Sequence, residues 1–149
     1  MSIKWQTKKW NELTKEQLYE ILQLRSEVFV VEQACVYQDL DGKDEMAVHV
    51  LGHKENEIIA YARVFKNTGS CVIGRVLVKE KYRNRSIGKK VLNESIREIP
   101  KHEKIYISAQ EHLKNFYGSI GFSQSGEGYL EDGIPHIPMT LSPRLPIDS

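Results

Sequence analysis

Apolar residues recur first at helical steps, as Leu18, Ile21, Leu22 and Val28, the spacing that gathers side chains on one helix face. Thr14 stands three residues ahead of Gln17, a capping box that predicts where this helix opens. Beyond Phe29-Val-Val-Glu-Gln33 comes an acidic stretch, Ala34 to Glu45, with Asp39, Asp41-Gly42 and Asp44. It is expected to be a loop and, lying beside a long helix, a lid or substrate loop. The pattern then turns to β-type runs, Val48 to His53, Ile58 to Phe65 and Val72 to Val78, separated by Asn, Gly and Ser. These predict a meander of antiparallel strands. A second helical pattern opens at Ser86 or Ile87, carries Val91, Leu92, Ile96 and Ile99, and meets Pro100, whose ring cannot continue a helix. Ile105 to Ala109 alternates as a strand, and His112 to Ile120 reads as a short helix ended by Gly121. Phe122 to Leu130 and Ile134 to Leu141 read as two strands turned by Asp132-Gly133. The predicted order is β-α-β-β-β-α-β-α-β-β, with no internal repeat and a loosely held tail around Pro143 and Pro146.

A length of 149 residues suits one domain, taken as 1–149. Hydrophobic residues at 40% and charged residues at 28% describe a chain that folds rather than a disordered one. Lys+Arg of 21 against Asp+Glu of 20 gives +1, so no large field steers the molecule toward nucleic acid or anionic lipid. Apolar runs such as Val28 to Val31 and Ile58 to Ala62 fall far short of the roughly 18 residues that span a bilayer. The opening Met1-Ser-Ile-Lys-Trp-Gln-Thr-Lys-Lys lacks the apolar stretch of a secretory signal. No membrane partner and a cytoplasmic location are therefore expected. Cys35 and Cys71 have no CxxC spacing and read as reduced thiols, with no metal site.

The segment Val76-Leu-Val-Lys-Glu-Lys-Tyr-Arg-Asn-Arg-Ser-Ile-Gly-Lys-Lys90 runs from a strand through a basic loop into a helix. Such a junction offers an anion unpaired N–H groups, the positive end of the helix dipole and nearby cations. On residue type alone the cations also fit a solvated face, or a grip on nucleic-acid phosphates. The net charge of +1 and the absence of interleaved aromatics count against the nucleic-acid reading.

Arg83-Asn-Arg-Ser86-Ile-Gly88 resembles the pyrophosphate loop Arg/Gln-x-x-Gly-x-Gly/Ala of the GNAT superfamily of acetyl-CoA-dependent N-acetyltransferases, with Ser86 in place of the first glycine. Phe116-Tyr-Gly-Ser-Ile-Gly-Phe122 resembles the second mark of that family, and the order of elements matches it from near Leu13 to Leu141. Leu22-Gln-Leu-Arg25, Val28-Phe-Val-Val-Glu-Gln33, Tyr37-Gln-Asp-Leu-Asp-Gly42, Ile73-Gly-Arg-Val76, Asn115-Phe-Tyr117 and Glu131-Asp-Gly-Ile-Pro-His-Ile137 are similar to its ElaA-like branch. The resemblance implies an α/β GNAT fold, in which a mixed, largely antiparallel sheet is flanked by helices on both faces. Two splayed strands would form the acetyl-CoA cleft. Pairing of two copies through the C-terminal strands is common in the family.

The same resemblance implies the roles of the site residues. The main chain of Val76, Leu77 and Val78 would pair with the pantetheine arm, and Arg83, Asn84, Arg85, Ser86, Ile87, Gly88 and Lys89 would hold the pyrophosphate, with Gln110 beside the cofactor. Tyr117 would protonate the leaving sulfur. The acceptor is not supplied by the resemblance; it is expected to be a primary amine of a small molecule, with a peptide or protein amine as the lesser alternative. For the base, Glu32 leads because it lies where the first helix gives way to the acidic loop. His112 opens the short helix, where the dipole favours a neutral ring, but five residues before Tyr117 it shares no helix face with it. His136, in the Gly-Ile-Pro-His turn-to-strand run, could reach the acceptor side, with an ordinary hydrogen-bonded structural histidine as the other reading, and deprotonation through water needs none of these. Arg75 alternates with Ile73 and Leu77 in a strand expected to be covered on both faces, so its guanidinium needs a partner. That partner is Glu32, another carboxylate of the chain, or an acidic group of an amino-acid-like acceptor. A module that binds acyl-CoA without turnover stays open as a second reading.

Overall fold

The structure, a computed structural model, describes residues 2–144; Pro146, in the tail expected to be loose, lies outside the described residues. Where that tail begins it is anchored. The Arg144 amide donates to the Lys101 carbonyl at 2.7 Å and its guanidinium to the Glu103 carbonyl at 2.8 Å.

Among the described residues eight strands form one sheet: β1 (Lys4–Lys9), β2 (Val48–Lys54), β3 (Glu57–Asn67), β4 (Ser70–Val78), β5 (Ile105–Gln110), β6 (Ser123–Gln124), β7 (Tyr129–Glu131) and β8 (Ile134–Leu141). Their order is β1-β2-β3-β4-β5-β8-β6, with β7 also on β8. Every pairing is antiparallel except that of β4 with β5. Among the described residues three α-helices complete the fold, α1 (Lys15–Arg25), α2 (Ile87–Arg97) and α3 (Lys114–Gly118).

The capping box forms as predicted, the Gln17 amide donating to Thr14 Oγ1 at 3.0 Å and the Thr14 amide to Gln17 Oε1 at 3.1 Å. The helix itself is shorter than its apolar pattern suggested. It changes after Arg25 into a π-helical turn, Ser26–Glu32, where the β-branched Val28, Val30 and Val31 are poorly suited to an α-helical interior. Ile21, Leu24 and Val28 pack on one sheet face against Leu51, Ile58, Tyr61 and Leu77. On the other face Ile87, Val91 and Leu92 of α2 pack against Val50, Ile59, Ala62, Val64 and Ile73. Cover on both faces explains why Ile58 to Val64 is an unbroken buried run rather than an alternating one.

Two departures from the predicted strands shape the site. Phe122 to Leu130 is not one strand but two, because the segment pairs with Met139 and Thr140 and then again only from His136 back to Ile134. Pro138 lies opposite the break and has no N–H to offer a ladder. In β4, Tyr61 faces Leu77 while Arg63 faces Gly74, so an extra residue is accommodated and Arg75 sits at φ +53. This bulge rotates Arg75 out of the alternation its sequence neighbours implied.

Candidate active site

Strands β4 and β5 pair only at Cys71 with Ile105 and Val72 with Tyr106. From Ile73 onward the edge of β4 that faces β5 has no ladder partner, and a cleft of about 490 Å³ opens there. Val76, Leu77 and Val78 form one wall. Arg83, Asn84, Ser86, Ile87, Gly88 and Lys89 form the floor, at the loop and first turn of α2. Most of the residues expected to hold acetyl-CoA are thus brought together. Arg85 is exposed and lies over the Tyr82 ring at 5.8 Å, and Gln110 sits across the splay, 3.3 Å from the Gln33 side chain. Leu113, Phe116 and Ser119 also line the cleft; Phe116 and Ser119 belong to the second family motif, and Leu113 was not among the expected site residues.

The loop takes its shape from two left-handed residues, Asn84 at φ +65 and Ser86 at φ +61. Its first residue is tied on both sides, since Arg83 Nε donates to the Val78 carbonyl and Nη2 forms an ion pair with Glu32 Oε2, each at 2.9 Å. Glu32 therefore stands at the phosphate-loop side as the partner of a cation. A Cβ on Gly88 would lie 3.3 Å from the Phe116 ring, so this position keeps α2 close to α3. The cleft fits an extended ligand with an anionic end. It has an unpaired strand edge for amides and, at the start of the 11-residue α2, free N–H groups for phosphate.

Tyr117 is 6% exposed, with its ring edge-on to Phe116 at 5.2 Å and Phe122 at 6.0 Å. Its hydroxyl has no hydrogen-bond partner among the described residues. Burial pushes the phenol up to about 12, so it stays protonated at neutral pH.

A second cavity of about 470 Å³ lies between the outer faces of β3, β4 and β5, with Phe65, Gly74, Ser108 and Glu131 among its walls. A small one of about 50 Å³ contains Gln33, Gln110 and His136. Arg75 and Glu131 border both. His112 is exposed on its short turn and borders neither.

Between these cavities and α1 lies a group of six charges. Arg25, wholly buried, reaches Asp39 at 2.8 Å and Asp44 at 2.6 Å. Arg63 bonds Asp44 at 3.0 Å and also Asp41. Arg75 donates to Asp39 Oδ1 at 2.8 Å and to the Asp39 carbonyl at 2.9 Å. The partner of Arg75 is thus a carboxylate of the chain, Asp39, and not Glu32. The three aspartates come from the acidic stretch, which is strapped to α1, β3 and β4 rather than free to swing as a lid. Both cysteines are buried free thiols, Cys35 donating to the Asp132 carbonyl at 3.3 Å. Among the described residues no three His, Cys, Asp or Glu side chains cluster as metal ligands, and no helix is long and apolar enough to cross a membrane.

A family model described as an acetyltransferase (GNAT) domain matches residues 10–143. Protein ElaA of Escherichia coli (strain K12) is 46% identical over 145 residues, covering 92% of this chain and 95% of that protein. The crystal structure of Escherichia coli ElaA aligns with a TM-score of 0.88 at 44% identity, over 95% of this chain and 100% of that one. An acyl-CoA N-acyltransferase from Pseudomonas aeruginosa aligns equally well, at 0.88 and 37% identity, over 95% and 100% of the two chains. A GNAT family acetyltransferase from Elizabethkingia anophelis, solved with acetyl-CoA bound, shares the fold at a TM-score of 0.64 and 16% identity, over 94% and 97%.

Proposed function

The chain belongs to the GNAT acetyltransferase family, and we propose that it transfers an acetyl group from acetyl-CoA to a primary amine of a small molecule by direct attack. The observation that carries this reading is the unpaired edge of β4 running into the basic N-terminus of α2 within one cleft. Acetyl-CoA supplies the activated acyl group as a thioester. The main-chain groups of Val76, Leu77 and Val78 extend the sheet onto its pantetheine amides, and an N–H there meets the developing oxyanion. The amides from Asn84 to Lys89 take the pyrophosphate. Arg83 acts through its main chain, since its guanidinium is engaged, and Glu32 is a positioning residue that fixes Arg83. Gln110, bonded to Gln33, borders the acetyl end.

Tyr117 gives its proton to the departing sulfur. The burial that raises the phenol would equally disfavour a bare thiolate beside it, so proton transfer accompanies C–S cleavage. A small acceptor suits the second cavity, whose volume of about 470 Å³ is that of a small-molecule pocket.

Calorimetry with acetyl-CoA, followed by thiol release across free amino acids, polyamines and short peptides, tests the reading. One-to-one binding with amine-dependent thiol release is the expected result. Binding with no release across the panel would favour a non-catalytic acyl-CoA-binding module, and no binding would overturn the proposal. Tyr117→Phe is expected to keep acetyl-CoA affinity while kcat falls roughly 100-fold or more. An unchanged kcat, with chemistry rate-limiting, would remove Tyr117 from the mechanism.

A further inference from the structure

We propose that His136 is the base that deprotonates the acceptor, and that Glu131 receives that acceptor as an alkylammonium ion; the inference rests on the acetyltransferase reading above. His136 lies on β8 opposite Gln110, at the end of β5 that borders the splay. Its Nδ1 is 2.7 Å from the Ile134 carbonyl oxygen. A carbonyl only accepts, so Nδ1 carries the hydrogen, and a base at this position presents its lone pair at Nε2. Nε2 in turn is 3.5 Å from Glu131 Oε2, and a carboxylate also only accepts. Two acceptors therefore face one another beyond good hydrogen-bond distance, an arrangement completed by a group carrying several N–H donors and a positive charge. A protonated primary amine is such a group.

The ring is held for this work. It is 7% exposed, and Tyr129 stacks on it at 6.1 Å and 20°. Tyr129 is itself bonded to Ser108. The other polar groups in the small cavity are Arg75, Tyr37, Cys35, Asp132, Gln33 and Gln110. Arg75 is engaged by Asp39 at 2.8 Å, Tyr37 donates to Asp39 at 3.0 Å, and Cys35 donates to the Asp132 carbonyl. Glu131 also borders the larger cavity, which places it on the path by which an amine arrives.

In the step, the ammonium gives one proton to Nε2, and the freed lone pair forms the C–N bond to the acetyl carbon. The C–S bond breaks with its electron pair on sulfur, which takes the phenolic proton of Tyr117. The second nitrogen proton restores the phenol, and the proton on His136 passes by way of Glu131 to solvent. One ammonium and one thioester thus give one amide, one thiol and one proton. The acceptor class is a primary alkylamine that is charged at neutral pH, not an arylamine or an alcohol.

Three measurements test this. In the free wild-type protein, 15N shifts of the His136 ring at pH 8 are expected to show Nδ1–H with Nε2 unprotonated; Nε2–H, or an imidazolium paired with Glu131, would overturn the proposal without any acceptor present. With the amine that turns over best, His136→Gln is expected to keep acetyl-CoA affinity and lose roughly 100-fold in kcat near pH 7, with the loss shrinking as pH rises and free amine accumulates. A wild-type pH profile in that variant would overturn it. Glu131→Gln is expected to raise KM for the amine more than it lowers kcat, and to leave an arylamine unaffected; an unchanged KM would remove Glu131 from recognition. Failure of the wild type to bind acetyl-CoA would instead sink the parent reading, and the ring shifts would still decide the tautomer.

Discussion

Ser86 is held at φ +61, where an L residue other than glycine is strained by about 1–2 kcal/mol. The sequence showed only that serine replaces a glycine; the structure shows that the backbone keeps the glycine-like conformation and Ser86 tolerates it. Ser86→Gly is therefore expected to bind acetyl-CoA at least as tightly as the parent. Ser86→Val, β-branched and ill-suited to this region, is expected to bind roughly 10-fold more weakly, which corresponds to about 1.4 kcal/mol. Titration calorimetry separates the two, and equal affinity for Val would mean that the loop does not need this geometry. Arg75 shows the limit of residue-level reading. Its need for a carboxylate followed from its expected burial, but the choice of Asp39, 36 residues away, has no local signature.

At the level of elements, the features legible in the sequence were those with local chemical causes. The Thr14 capping box, the Asp132-Gly133 turn with φ of +51 and +78, and Gly121 at φ +119 all appear where turn and cap chemistry put them. The bulge in β4 and the split between β6 and β7 depend on partners distant in sequence, and alternation alone does not reveal them. The acidic loop is the instructive case, because its composition suggested mobility while its aspartates neutralise three arginines on other elements. Removing Arg25 would leave Asp39 and Asp44 short of a buried counter-charge. Arg25→Ala is expected to cost about 3–5 kcal/mol, a large share of the roughly 5–15 kcal/mol that stabilises a typical domain. Urea denaturation measures it, and a loss under about 1 kcal/mol would mean that the loop repacks.

Across the whole molecule, the same charges, the buried His49 and the half-buried His53 set the response to acid. Burial holds His49 below its ordinary value of 6.5; its Nε2–H donates to the Asp44 carbonyl at 2.9 Å, and the Tyr61 hydroxyl donates to Nδ1 at 2.6 Å. Burial also lowers His53. The Arg63 hydrogen bond holds Asp41 below the usual carboxylate range, and for Asp44 the upward push of burial is outweighed by Arg25 and Arg63. The unfolded chain takes up protons on both histidines below about pH 6.5 and on both carboxylates below about pH 4, while the folded chain resists, so stability falls in two stages. Urea midpoints between pH 8 and 3 are expected to trace those stages, and a midpoint that rises from pH 7 to 5 would contradict neutral burial of His49. The helices and the antiparallel strands were legible because amphipathic period and turn residues act locally, while the placement of helices on both faces was expected only through the resemblance. The seam between β4 and β5 was expected only through the resemblance, and it carries a thermodynamic corollary. With two ladder pairs joining the halves of the sheet, any ligand that zips along the free edge shifts the unfolding equilibrium by mass action. At 100 times its dissociation constant that ligand adds about 2.7 kcal/mol, so the lifetime of this protein in a cell would track the supply of its acyl donor.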